Sequence, residues 1–220
     1  MSKTKETPML FSTAMVNAIL AGNKTQTRRT KGLDVINKIE DKAKSEDEVG
    51  RWFIVGLKDG LLWVEDLDTL ESFSIECPYG KPGDLIWVRE KWTQNGLNYF
   101  RYAADWLNGQ NETDKCYGTF IGKNIPEKYR GKWKPSIHMP KAACRIWLEI
   151  TDVRVERLQD ISEKDAKAEG APLAIQSVVR TTAKNKFGTL WISINGQESW
   201  NANPYVWVIE FKRCQAPVNS

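Results

Sequence analysis

Short runs of alternating apolar and polar residues, broken by Gly- and Pro-rich turns, recur along most of this chain and limit its fold more than any other feature. In the clearest run Cys144, Ile146, Leu148 and Ile150 alternate with Arg145, Trp147 and Glu149. Successive side chains of a strand point to opposite faces, so such a segment offers one apolar face to a core. Trp52 to Leu57, Leu61 to Glu65 and Phe73 to Cys77 read as three further strands, the first two joined by a Lys58-Asp59-Gly60 turn. Pro78 to Asp84 is a turn by composition and launches a strand from Leu85 to Trp92, with which Tyr99 to Ala103 can pair. Tyr205 to Phe211 follows the turn Asn201-Ala202-Asn203-Pro204 as the last strand.

Helical periodicity is confined to two places. Ser12 or Thr13 can cap a short helix that has Met15, Val16, Ile19 and Leu20 on one face and Gly22 at its end. Asp160 or Ser162 caps a second, Glu163 to Glu169, closed by Gly170, and Ser162 to Asp165 has the spacing of a capping box. Many short strands, one helix before the sheet and one between its last two strands predict an α+β fold, a small β-barrel with flanking helices rather than a parallel α/β sheet. We expect one domain over residues 1–220, with peripheral insertions at about 30–50, 105–131 and 171–199. The first reads as a peripheral helix and loop, the second as a long loop with a short helical piece from Pro126 to Tyr129, and the third is weakly patterned.

Composition narrows the chemistry. The 220 residues include one His and four Cys. A zinc site on several imidazoles is excluded, and a Ser-His-Asp triad would have to use His138. Cys77, Cys116, Cys144 and Cys214 lie far apart with no CxxC pair and read as reduced thiols, so no metal site and no cofactor are expected. A formal net charge of +4 permits contact with phosphate without demanding it. No Walker loop, GxGxxG, GxSxG or HExxH occurs. Met1 to Pro8 is polar, and no apolar run approaches the roughly 20 residues needed to cross a bilayer. The expectation is a cytoplasmic protein with no membrane partner.

The segment Gly22-Asn23-Lys24-Thr25-Gln26-Thr27-Arg28-Arg29 resembles the signature of the ASCH domain, a branch of the PUA-like β-barrels, in which a Gly is followed two positions on by Lys and an Arg lies five residues after the Lys. Gly22, Lys24 and Arg29 fit that pattern. Pro82 to Arg89 looks like the family's Gly-Asp turn and following strand, and Tyr205 to Lys212 like its closing strand. Many ASCH domains carry Glu where this chain has Thr27, and the Thr is similar to the family's amidohydrolase branch, which acts on N(4)-acetylcytidine. The resemblance implies that Lys24, Thr27 and Glu169 are catalytic; the residues themselves add candidates for substrate binding in Arg29, which can hold a phosphate or carboxylate, Glu90 on a strand face, and His138 between two prolines. The longer layout is similar to proteins carried by bacteriophages and prophages. Residues 30–80, 93–140 and 171–199 have little counterpart in the small enzymes of that branch.

Hydrolysis of an acylated cytosine amine needs a nucleophile at the acyl carbon, an oxyanion stabiliser and a proton for the departing nitrogen. Thr27 can supply the hydroxyl. Lys24 can take its proton if burial lowers the lysine pKa, or can stay charged and stabilise the oxyanion while Glu169 acts as base. The implied ligand is a small-molecule modified nucleoside; RNA is the alternative partner, as a PUA-like binding module or ribonuclease would require, with Arg28, Arg29, Lys132, Lys134 and Lys141 on phosphate. Of the ten Trp, Trp87, Trp92, Trp147 and Trp207 fall on expected barrel strands, whereas Trp106, Trp133, Trp191 and Trp200 fall in insertions and are candidates to stack on a base or close over it.

Overall fold

The computed structural model describes residues 4–43, 52–58, 60–66, 71–94, 100–105, 132–170 and 182–217. The alternating run at Ile146 opens its longest strand, β9 (Trp147–Arg157), which pairs antiparallel with β10 (Tyr205–Cys214). Outward from β9 lies β6 (Leu85–Arg89), antiparallel to it, and then β1 (Glu6–Leu10), parallel to β6. On the other side β10 pairs antiparallel with β2 (Gln26–Arg29), giving the five-stranded order β1-β6-β9-β10-β2. The parallel strand β1 is absent from the sequence expectation. Its Pro8 cannot donate to a ladder and is tolerated there because β1 is an edge.

Strand β10 explains how the sheet is covered. Trp207, Ile209 and Phe211 join the main core, while the intervening Val206 and Val208 join a second one. Both faces are therefore buried, which is why this stretch reads as a continuous apolar run. Helix α1 (Thr13–Leu20), capped by Ser12, supplies Val16 and Ile19 to the main core, beside Leu33 and Ile36 at the start of α2 (Asp34–Ala43). The first insertion is thus anchored in the core rather than peripheral.

The second core lies under α3 (Glu163–Ala168), α4 (Ala183–Asn195) and α5 (Gln197–Asn201). The last two occupy the described part of the weakly patterned stretch expected over 171–199, of which 171–181 lie outside the described residues. Gly188 and the β-branched Thr189 and Ile192 weaken any helix signal there, and tertiary packing supplies what propensity lacks. A Cβ at Gly188 would come within 3.1 Å of the Trp200 ring, so the glycine lets that ring pack on α4. The Glu163 carboxylate at the start of α3 accepts from Ala183 N and Lys184 N, fixing the start of α4.

The described strands make no closed barrel. Strands β3 (Trp52–Lys58), β4 (Leu61–Asp66) and β5 (Ser72–Glu76) form a separate meander, and β7 (Trp92–Gln94) pairs with β8 (Phe100–Tyr102) as a two-stranded ribbon. The strand expected over Leu85 to Trp92 breaks after Arg89, and Phe100 to Tyr102 pair with its last residue, Trp92, and with Thr93 and Gln94 beyond it. The large sheet nonetheless curls, aided by a register shift at Glu210/Phe211. Its two edges come within side-chain reach: Arg29 Nη2 on β2 donates to Leu10 O at the end of β1 at 3.1 Å. The short helical piece expected near Pro126 lies outside the described residues.

Two glycines with left-handed backbones test how α3 is seated. Gly22 (φ +76°) has nothing near an added Cβ, whereas at Gly170 (φ +68°) that atom would meet Lys24 Cβ at 2.8 Å and Ala18 Cβ at 2.9 Å. Gly22→Ala should cost about 1–2 kcal/mol from backbone strain alone. Gly170→Ala should cost about 1–3 kcal/mol more, read by denaturant unfolding; equal losses would contradict the close packing of α3 on Lys24.

Candidate active site

Chain reversal after α1 creates the site. The N–H groups of Asn23 and Lys24 both donate to Ala18 O, at 2.8 and 3.1 Å, so the backbone turns sharply through Gly22 and starts towards β2. There it meets the end of α3: Thr25 N donates to Ala168 O at 2.9 Å, and Lys24 and Glu169 form an isolated antiparallel bridge. Two residues 145 positions apart are thereby placed side by side by backbone geometry.

Lys24 is fully buried at its side chain, and its ammonium donates to three acceptors: Glu169 Oε2 at 2.8 Å, Glu169 O at 2.8 Å and Gln26 O at 2.9 Å. Three donors meet three acceptors, so the charged form is the one this cage holds. Burial pushes the Lys24 pKa below its ordinary value; the Glu169 charge and hydrogen bond oppose that, and Arg29 and Arg28 reinforce it. The other Glu169 oxygen, Oε1, accepts from Arg28 Nη1 at 3.0 Å. Arg28 is itself wholly buried, and its Nη2 reaches Glu156 Oε2 on β9 at 3.0 Å and lies 3.9 Å from Asp165 Oδ2 on α3. Arg154 continues the network to Glu156, Asp165 and Glu210. The Glu169 carboxylate is thus gripped by one buried cation on each oxygen.

Thr27 sits one residue away on the opposite face of β2. It pairs with Ile209 of the main core, whereas Arg28 pairs with Val208 of the second. Thr27 is buried and its Oγ1 has no hydrogen-bond partner, so no bond links it to Lys24 or Glu169. The structure therefore joins Lys24 to Glu169 and sets Thr27 close in sequence but behind the strand.

A cavity of about 580 Å³ opens beside this cluster. Its lining combines the polar Arg28, Arg29, Thr30, Tyr79, Ser136 and Glu169 with the apolar Phe11 and Met15 and, from α4, Phe187, Leu190, Trp191 and Ile194. Neither Lys24 nor Thr27 contributes to the wall, so Glu169 is the group of the expected triad that meets the cavity.

Two expected binding residues lie elsewhere. Glu90 is buried in a bidentate pair with Arg145, at 2.9 and 3.0 Å, and does not line the cavity. Arg145 also holds Asp105 and stacks 4.0 Å from the Tyr102 ring, so Glu90 anchors the β7–β8 ribbon. Burial raises the Glu90 pKa, with Arg145 opposing. His138 is exposed on a short turn from which Ser136, not His138, reaches the cavity. Of the residues proposed to grip RNA, Arg28 is buried among carboxylates, whereas Lys134, over the Trp92 ring, and Lys141, beside Glu6 and the Trp147 ring, make their intramolecular contacts at the surface. Of the insertion tryptophans, Trp191 lines the cavity but its Nε1 donates to Ser199, and Trp200 packs edge-on against Phe187; Trp106 lies outside the described residues.

The site residues that sequence reasoning misses are Arg28 in its buried role, Glu156, Asp165 and Tyr79. A period-two count would place Lys24, Gln26 and Arg28 on one face, which was the available signal for Arg28. Among the described residues, no group of three or more His, Cys, Asp or Glu converges as metal ligands would, and no helix is long and apolar enough to cross a membrane. Removing one partner of a buried ion pair leaves the other uncompensated, so Lys24→Met should destabilise the fold by about 3–5 kcal/mol in urea unfolding. A change under about 1 kcal/mol would mean the pair is solvated in solution.

Comparison with models of known families, with curated proteins and with solved structures returns no match for this chain.

Proposed function

We propose that this chain is an amidohydrolase that removes the acyl group from N(4)-acylated cytidine or a related modified nucleoside, on a PUA-like, ASCH-type fold. The observation that carries the proposal is the buried Lys24–Glu169 contact at 2.8 Å, formed across 145 residues at the margin of a cavity large enough for a nucleoside. Two residues chosen from their places in a motif come together through the fold.

The geometry favours one of the two assignments for the pair. Lys24 already donates three hydrogen bonds and is held as an ammonium, so it is not the free base. Glu169 faces the cavity and takes the proton of an attacking water, since Thr27 does not line the cavity and makes no hydrogen bond to Glu169. That oxygen adds to the acyl carbon, the C–N bond breaks, and Glu169 returns the proton to the departing cytosine nitrogen. Lys24 and Arg28 hold the carboxylate in place and keep positive charge beside the oxyanion. The curled sheet, whose edges Arg29 bridges, supports the PUA-like reading of the fold. The RNA alternative has no comparable support, because most of its basic residues are engaged in intramolecular contacts.

Purified protein should release cytidine from N(4)-acetylcytidine, followed by chromatography. Glu169→Gln should lower kcat/KM by about 10²–10⁴-fold, and retention of full activity would remove Glu169 from the mechanism. The pH profile separates the two assignments. With Lys24 acting as ammonium, activity falls on the alkaline side as Lys24 loses its proton, at a pH below the ordinary lysine value of 10.5. Arg28→Gln removes a cation that lowers the Lys24 pKa, so that limb should move to higher pH. Activity that instead rises through the same limb would make Lys24 the base.

A further inference from the structure

Arg29 is a guanidinium with no directly paired carboxylate among the described residues; Glu169 favours its charge only through space. Its Nη1 donates to Arg28 O at 3.0 Å and Nη2 to Leu10 O at 3.1 Å, and the guanidinium lies 5.6 Å from the Phe11 ring centroid. Two carbonyls and an aromatic face orient a guanidinium without neutralising it. The other charged groups around it are paired with one another. Lys24 and Arg28 are also cationic, and Glu169, the carboxylate in the cavity lining, is already divided between them. Glu156 and Asp165 are held by Arg28 and Arg154.

The surroundings of Arg29 suit an oxyanion. Ser12, Thr30 and Tyr79 line the same cavity as Arg29. Thr30 follows it in the chain, Ser12 follows the Phe11 ring that Arg29 faces, and Tyr79 is near enough to act on its charge, so their hydroxyl groups can donate to an oxygen held there. Ser12 is the cap of α1, whose N-terminus therefore borders the cavity, and the first turn of α1 carries no acidic residue. A helix N-terminus favours negative charge, and here it borders the same cavity as a guanidinium that lacks a directly paired carboxylate.

We propose that the part of the cavity lined by Arg29, Tyr79, Ser12 and Thr30 binds an oxyanion carried by the ligand, so that the preferred substrate is a phosphorylated acylcytosine nucleotide rather than the neutral nucleoside. The assignment of substrate rests on the amidohydrolase reading, whereas the oxyanion site does not. A carboxylate, such as the released acid, shares the chemistry of a phosphate at this position, and the test distinguishes them.

Isothermal titration at constant ionic strength compares cytidine, its 5′-monophosphate, inorganic phosphate and acetate as ligands of the full chain. The monophosphate should bind about 10- to 100-fold tighter than cytidine, the range for a hydrogen bond to a charged group, and inorganic phosphate should compete with it. Arg29→Gln should abolish the gap, Arg29→Lys should restore part of it, and Tyr79→Phe should narrow it, with circular dichroism confirming that each variant is folded. Equal binding of the two cytosine ligands by the wild type, or a gap untouched in folded Arg29→Gln, would overturn the site. Acetate competing as well as inorganic phosphate would overturn the phosphate assignment in favour of the released acid. Turnover of acylcytidine without any oxyanion preference would remove this inference and leave the hydrolase, while a phosphate gap without turnover of any acylcytosine would keep the site and remove its assignment to that substrate.

Discussion

Burying the Lys24 ammonium against the Glu169 carboxylate is the constraint around which this molecule is arranged. Taking two charges out of water is costly unless each finds partners for all its donors and lone pairs. The fold meets that requirement with backbone as much as with side chains. Two of the three acceptors of Lys24 are carbonyls, from Glu169 itself and from Gln26, and both exist only because the end of α3 is laid along the start of β2. Gly170 leaves no room for a methyl group at that junction, so the helix must leave Lys24 through a glycine. Arg28 then balances the second carboxylate oxygen and carries the network to β9 and α3.

The same cluster accounts for the position of the cavity. Strand β2 is an edge of the sheet, so its charged residues can meet the end of α3 and the β1–α1 junction as well as Glu156 of β9. Helix α4 covers the remaining side with Phe187 and Trp191, which belong to the second core, and the Phe187 ring lies 5.7 Å from the Arg28 guanidinium. The apolar wall of the cavity is thus continuous with the packing that shields the ion pair from water. In that low-dielectric setting fixed charges act more strongly on a bound ligand than they would in solvent.

Much of this was legible in the sequence, for identifiable reasons. The alternation at Ile146, Leu148 and Ile150 located β9, and the Ser162 capping box located α3, with Ser162 accepting from Asp165 N as its spacing implies. Motif position singled out Lys24 and Glu169 as candidates, and the fold brings them to 2.8 Å. Other features were hidden by physics that a linear pattern does not carry. Strand β1 contains a Pro that only an edge position allows, and α4 has a central Gly whose purpose is the Trp200 ring. Glu90 and His138 are polar residues beside strong strand and turn signals, but Glu90 is consumed by Arg145 and His138 faces solvent. Thr27 illustrates the limit of a motif. Its neighbours Arg28 and Arg29 reach the cavity with long side chains, yet the short Thr27 side chain is buried beside the main core and does not line it.

The central claim, that Glu169 works at the wall of a ligand cavity while Lys24 and Arg28 hold it, is tested most directly by a crystal structure of the Glu169→Gln protein with an N(4)-acylcytidine bound. The account predicts the acyl amide within hydrogen-bond reach of the residue 169 side chain, with α4 against the apolar part of the ligand and the Lys24 cage behind it. An acylcytidine bound elsewhere, with the cavity beside Glu169 empty at saturating ligand, would contradict it.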